Sequence, residues 1–164
     1  MSDAVLEFPL AAPGRRRLVV AADHAGWRLK DALAERARGA GYDVTDLGTG
    51  SDDSVDYPDF AGAAARAVAA GEADLGLIVC GTGIGVSMTA NKVPGVRAAV
   101  VHDDFTAYYS REHNDANVMC IGARVVGPGV AESALATFLR TDFGGGRHSG
   151  RVGKIMATES ESTS

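Results

Sequence analysis

Residues 75 to 85 read Leu-Gly-Leu-Ile-Val-Cys-Gly-Thr-Gly-Ile-Gly. The first half is an apolar run of strand length, and a run of that kind reads as a buried strand. It ends in an ionisable thiol, Cys80, and opens into a glycine loop leading to a helix. Free backbone N–H groups at a helix start favour negative charge on a thiolate or on a bound oxyanion. A thiol set among glycines therefore has the makings of a site that needs close backbone approach to its substrate.

The chain around this run alternates between two periodicities. Leu18 to Ala22 reads as a first strand, followed from about Gly26 by a helix with Leu29, Leu33 and Ala37 on one face. Tyr42 to Leu47 is a second strand, Gly48 to Pro58 a polar loop, and Asp59 to Ala70 an alanine-rich helix. After Leu75 to Cys80 comes a short helix ending near Lys92, then a fourth strand, Arg97 to Val101. Asp103 or Asp104 can cap a helix carrying Phe105, Tyr108 and Tyr109. Val118 to Gly122 is a fifth strand, and Val130 to Leu139 a last helix. Strand–helix alternation of this sort predicts a single α/β, Rossmann-like, three-layer domain: a five-stranded parallel sheet with helices on both faces. The expected strand order is 2-1-3-4-5. Ligands of such sheets bind at the carboxyl ends of the strands where the winding reverses, here between strands one and three. Asp23-His24 and Cys80-Gly81-Thr82-Gly83 leave those strands.

Composition narrows the function classes. The 164 residues suit one domain with a real core, and no run of about 18 apolar residues offers a membrane span. A net charge of −5 argues against a general nucleic-acid binder. The two cysteines, Cys80 and Cys120, both sit in apolar runs, which suggests reduced thiols in a cytoplasmic protein. Cys120, with no loop motif after it, reads as core. There is neither a Cys-x-x-Cys pair nor zinc-type Cys/His spacing, so no metal or other cofactor is expected. Residues 1–16 contain Glu7 and two prolines, with Arg15 to Arg17 after the apolar stretch, the reverse of a signal peptide. They read as a loose extension, residues 17–156 as the domain, and residues 157–164 as a disordered tail.

The glycine loop has well-known imitators. A dinucleotide-binding fingerprint follows the first strand as Gly-x-Gly-x-x-Gly, whereas Gly81, Gly83 and Gly85 follow the third. A P-loop needs Gly-Lys-Ser/Thr, and the nearest lysine here is Lys92. Nucleotide binding is disfavoured on both counts.

Six motifs, the glycine loop among them, occur in order: Ala22-Asp23-His24-Ala25-Gly26, Asp56-Tyr57-Pro58, Cys80 to Gly85, Ala90-Asn91-Lys92, Ser110 to Asn117, and Gly145-Gly146-Arg147-His148 with Arg151-Val152. Together they resemble the RpiB/LacAB sugar-phosphate isomerase family, which includes the type B ribose-5-phosphate isomerases, over roughly residues 17 to 156. The resemblance implies a metal-independent aldose–ketose isomerisation of D-ribose 5-phosphate and D-ribulose 5-phosphate, by ring opening and a cis-enediolate. It makes Cys80 the enolisation base. One family branch instead uses a glutamate just after the last glycine of the loop, where this chain has Val86. Backbone N–H groups of Gly81, Gly83, Ile84 and Gly85 and the Thr82 hydroxyl would hold the enediolate oxygen. His113, with Asp23, would open the ring. Asn114 and Tyr57 would bind the open chain, and Arg147, Arg151 and His24 the phosphate. Arg124, at the carboxyl end of the fifth strand, is a further candidate for the phosphate. A homodimer or dimer of dimers, with sites at the subunit boundary, is implied as well. The same motifs leave open another substrate (galactose 6-phosphate, allose 6-phosphate or erythrulose 4-phosphate), and a non-catalytic phosphate-binding module on this fold.

Each of these residues has a plainer reading. Asp23 could simply cap a helix. His113 could complement a helix dipole, and the two arginines could form a solvated patch beside Gly144 to Gly146. Phe105, Tyr108 and Tyr109, at helical spacing, suit core or interface packing.

Overall fold

Leu75–Cys80 is the middle strand of the molecule and is buried at every residue. In this computed structural model, which describes residues 8–14 and 17–161, it is β3 of a five-stranded parallel sheet. Its companions are β1 (Arg17–Ala22), β2 (Asp43–Asp46), β4 (Ala98–Val100) and β5 (Val118–Gly122). The helices are α1 (Trp27–Gly39), α2 (Tyr57–Ala69), α3 (Ile84–Ala90), α4 (Asp104–Glu112), α5 (Pro128–Arg140) and α6 (Arg147–Glu161). None of these is long and apolar enough to cross a membrane.

The three-layer α/β class is as the alternation predicts, but the strand order is β2-β1-β3-β5-β4. The expected order 2-1-3-4-5 is therefore corrected by an exchange of the last two strands. Two physical facts account for it. β5 is five residues long and buried throughout, whereas β4 is three residues long and only half-buried, as befits an edge. The right-handed crossover rule then decides where the helices go. Passing from β4 back to β5 reverses the direction of travel, so α4 must lie on the face opposite α3. That is observed: Leu33, Ala34 and Ala37 of α1, Ala107 of α4, and Leu135 and Phe138 of α5 share one core. Ala61, Ala64, Ala65 and Val68 of α2 and Val86 and Ala90 of α3 share the other. The small side chains of α2 let its backbone come close to the sheet, while Phe138 and Leu135 fill the opposite side. Full burial of each of those two is worth about 1.5–3 kcal/mol.

Lys30 is 1% exposed, which is uncommon for a lysine. Its ammonium pairs with Asp31 and with Asp46 at the end of β2. Asp46 in turn accepts the Gly48 N–H at 2.9 Å. This partly buried pair fastens α1 to the start of the loop that follows β2.

The two ends of the chain also depart from expectation. In the extension, Phe8 and Ala11 pack against the first core, and the Ala11 N–H donates to Ala40 O at 3.0 Å. Residues 1–7 lie outside the described residues. Residues 157–161, expected to be disordered, continue α6, and residues 162–164 again lie outside.

Gly26 begins α1 where no side chain fits, because a Cβ there would sit 2.5 Å from Val79 O. Gly39, at the other end of the same helix, has nothing within 4 Å of the corresponding position. Urea denaturation should therefore separate two chemically identical changes. Gly26→Ala is expected to cost about 1–3 kcal/mol by overpacking, and Gly39→Ala to be neutral or stabilising by up to about 1 kcal/mol.

Candidate active site

The carboxyl ends of β1 and β3 meet as adjacent strands, with Ala22 opposite Val79. Cys80 is 5% exposed, and its Sγ accepts the Gly83 N–H at 3.1 Å. Gly83 has a φ of 80°, which only glycine adopts freely, and this kink turns its amide back onto the sulfur. Thr82 is exposed, and its Oγ1 accepts the Ile84 N–H at 3.2 Å. The loop is pinned from β5: Ala123 N–H donates to Cys80 O at 2.8 Å, and Arg124 N–H to Gly81 O at 3.0 Å. A Cβ on Gly122 would lie 2.6 Å from the Thr82 carbonyl carbon, so backbone touches backbone there.

The β1–α1 turn supplies Asp23 and His24. Asp23 is buried, and its Oδ1 accepts the N–H groups of Ala25 and Gly26 at 3.0 and 3.1 Å. These bonds close the turn before the helix and do not cap it, since α1 has Gly26 at its N-cap and no side-chain cap; Asp23 Oδ2 is left without a partner among the described residues. His24 Nδ1 accepts the Val55 N–H at 3.2 Å, which puts the ring proton on Nε2. Tyr57, the first residue of α2, lies over Gly85: a Cβ on that glycine would be 2.9 Å from the phenolic oxygen. Arg124 flanks the loop as well, with its Nη1 3.7 Å from where a Gly81 Cβ would be. The polar loop between β2 and α2 is held by Asp52, which accepts from Trp27 Nε1 at 3.0 Å and pairs with both Arg28 nitrogens. Arg28 first, then Trp27, lowers the Asp52 carboxyl to about 2.

Asp23, His24, Tyr57, Cys80, Gly81, Thr82, Gly83, Ile84 and Gly85 are thus assembled along one edge of the sheet. His113, Asn114, Arg147 and Arg151 are not with them. His113 follows α4, four residues before Asn117, whose carbonyl accepts the Gly76 N–H at the start of β3. These residues sit towards the amino edge of the strands. With a rise of about 3.3 Å per residue along β5, the two edges lie on the order of 13 Å apart.

The second group has its own order. The His113 ring stacks on His148 with centroids 4.1 Å apart and planes at 19°, and Tyr109 packs against it, tilted, at 4.5 Å. His113 Nε2 is 2.9 Å from Glu112 Oε2. Gly145 and Gly146, with φ of 61° and 54°, make the tight turn that delivers Arg147 and His148 on the first turn of α6. Helicity there places Arg147 and Arg151 on one face, as their spacing allows. Asn114 lines a cleft of about 420 Å³ between β4 and α6, with Asn91, Arg97 and Glu159. Much of the Ser110–Asn117 motif is structural. Arg111 donates to Ala116 O and pairs with Asp115, and Asn117 bonds Arg97 N and Gly95 O.

Cys120 is fully buried, and burial first, then Cys80, pushes its thiol far upward. It pairs in register with Ile78, two residues short of Cys80, which leaves the two Cα atoms about 8 Å apart, too far for a disulfide. The motifs contain Glu112 and His148, but nothing in the sequence brings the two together; that contact is set by the fold.

A parallel α/β protein with a thiol seated on a glycine loop at its switch point is the class defined by this geometry. The sequence matches the Ribose/Galactose Isomerase family over residues 18–155, and the chain belongs to that family. It is 42% identical to Escherichia coli ribose-5-phosphate isomerase B over 144 residues, 88% of this chain and 97% of the relative. It is 44% identical over 124 residues to the galactose-6-phosphate isomerase subunit LacB of Clostridium acetobutylicum, covering 76% of this chain and 72% of that one. The solved structure of Clostridium thermocellum ribose-5-phosphate isomerase B superposes with a TM-score of 0.88 at 48% identity, covering 89% and 99% of the two chains.

His148 has its pKa lowered from 6.5 by burial, then by His113, with Arg147 and Arg151 adding to the effect and Glu112 opposing it. A group whose folded pKa is depressed in this way binds its proton more readily unfolded, so stability is lost as pH falls below about 6.5. Urea midpoints between pH 7 and 5 should show that loss, and His148→Asn should flatten it.

Proposed function

We propose that the chain interconverts D-ribose 5-phosphate and D-ribulose 5-phosphate, with Cys80 moving the proton between C1 and C2 of a cis-enediolate. The observation that carries this reading is the Gly83 N–H aimed at Cys80 Sγ at 3.1 Å inside a pinned loop. An ordinary thiol is only about 3% ionised at pH 7, so a donor that favours the thiolate suits a base of this kind. The N–H groups of Gly81 to Gly85 and the Thr82 hydroxyl receive the enediolate oxygen. A preorganised donor in such a position is worth about 3 kcal/mol of barrier.

Ring opening falls to His113 with Asp23, which has one carboxylate oxygen left over from its turn. His24 Nε2, Arg147, Arg151 and Arg124 bind the phosphate, the arginines by their forked donors. Tyr57 and Asn114 hold the open chain. Because the two groups of residues occupy opposite edges of one protomer's sheet, a complete site needs a second copy, with Cys80 from one chain facing His113 and the arginines of another. The exposed Tyr57, Ile84, Met88, Phe105 and Tyr108 supply apolar surface for that association. A homodimer, or a dimer of dimers, in the cytoplasm follows.

The LacB relative supports galactose 6-phosphate as the second substrate to assay. Cys80→Ala is expected to lower kcat on ribose 5-phosphate by about 10³-fold, and survival of turnover would remove the thiol as base. Cys80→Ala and His113→Asn, each inactive alone, should recover about a quarter of native activity when unfolded and refolded together, because half the dimers are mixed and hold one intact site. No recovery would place the whole site within one chain.

A further inference from the structure

We propose that the buried imidazole of His148 is a positioning residue for turnover, its ring face holding His113 for ring opening and its Nε2 holding Arg147 for the phosphate. This role rests on those given above to His113 and Arg147.

His113 is the C-cap of α4, and its side chain is 36% exposed. An imidazole at a helix end has room to turn, and His148 removes that room. The two rings stack with centroids 4.1 Å apart and planes 19° from parallel, and the His148 side chain is only 9% exposed. Contact through the ring face fixes the plane of His113 and leaves its two nitrogens, at the ring edge, clear of the stack. Tyr109 adds a tilted contact at 4.5 Å. The exposed ring is thus the one that can meet a substrate, and the buried ring is its backing.

The edge of the His148 ring holds a second side chain. Its Nε2 accepts from Arg147 Nε at 3.5 Å, near the long limit for such a bond. An imidazole nitrogen accepts only through its lone pair, so the ring proton sits on Nδ1. Arg147 is engaged there through Nε, which leaves its two terminal nitrogens for a phosphate. The arrangement needs a neutral ring, since protonation would fill the acceptor and set a cation against Arg147. Burial first, then His113, with Arg147 and Arg151, lowers the His148 pKa from 6.5, and Glu112 opposes them.

His148 can hold two side chains because it is itself held by main-chain atoms. Glu112 O accepts the Gly144 N–H at 2.9 Å, and His148 N–H donates to Gly145 O at 3.0 Å. The end of α4 and the first turn of α6 are therefore locked together, with the His148 ring between them.

Two substitutions separate the ring from the acceptor. His148→Phe keeps a flat ring and removes the acceptor, whereas His148→Gln puts a carbonyl oxygen near the Nε2 position and removes the ring. On ribose 5-phosphate, His148→Phe should raise KM about fivefold with kcat held within about twofold. His148→Gln should lower kcat about tenfold with KM held within about twofold. The same change in both variants, or none in either, overturns the positioning role, because plain packing predicts one pattern for both. Long-range proton–nitrogen NMR of the native protein at about pH 8 reads the contacts without turnover and does not depend on either variant folding. The other histidines are assigned there from His24→Asn, His102→Asn and His113→Asn. His148 should carry its proton on Nδ1, and the His113 ring protons should lie upfield under the His148 ring current. A proton on Nε2 overturns the hold on Arg147, and unshifted His113 protons overturn the stack. A native protein that turns over neither ribose 5-phosphate nor galactose 6-phosphate fails the isomerase reading. Native turnover with one pattern in both variants fails only the role of His148.

Discussion

The backbone contact between the end of β5 and the loop after β3 is what everything else in this molecule depends on. Ala123 and Arg124 donate to the carbonyls of Cys80 and Gly81, and Gly122 lies against Thr82 with no room for a side chain. Gly26 presses on Val79 in the same way from the β1 side. The loop is therefore held between two neighbouring strands by main-chain atoms, which side-chain motion cannot loosen. A thiol placed there keeps its distance to the Gly83 amide, and the loop's N–H groups are oriented in advance of any ligand.

This contact also explains the sheet order. The strand that clamps the loop must lie beside β3, and only β5 has the length and the unbroken burial for it. Sequence periodicity registered both β4 and β5, but as equals. The difference lay in the burial of Val118–Gly122 against the half-exposed Ala98–Val100, a contrast of two alanines with a run of Val, Met, Cys and Ile. The crossover rule turns that contrast into a position for α4. With it comes the separation of His113 from Cys80, since a helix that starts at the carboxyl edge of the sheet ends at the amino edge.

What was legible in the sequence follows from range. Features set by neighbours along the chain could be read: the strands, the switch point, the Asp23 turn and the glycine loop. Features set by distant partners could not. The buried Lys30 depends on Asp46, and the docking of Phe8 depends on a core that it does not resemble. α6 carries Gly150 and Gly153, poor helix formers that mask the short apolar stripe of Val152, Ile155 and Met156. The family resemblance puts Cys80, His113 and Arg147 into one proposed site. The fold of a single chain keeps them apart.

The loop after β2 ties the indole of Trp27, through Asp52, to the segment whose Val55 amide fixes His24. Trp27 is the only tryptophan in the sequence. The molecule thus carries a built-in optical reporter: its indole emission comes from one ring bonded to the loop after β2, and reads the posture of that loop without any label.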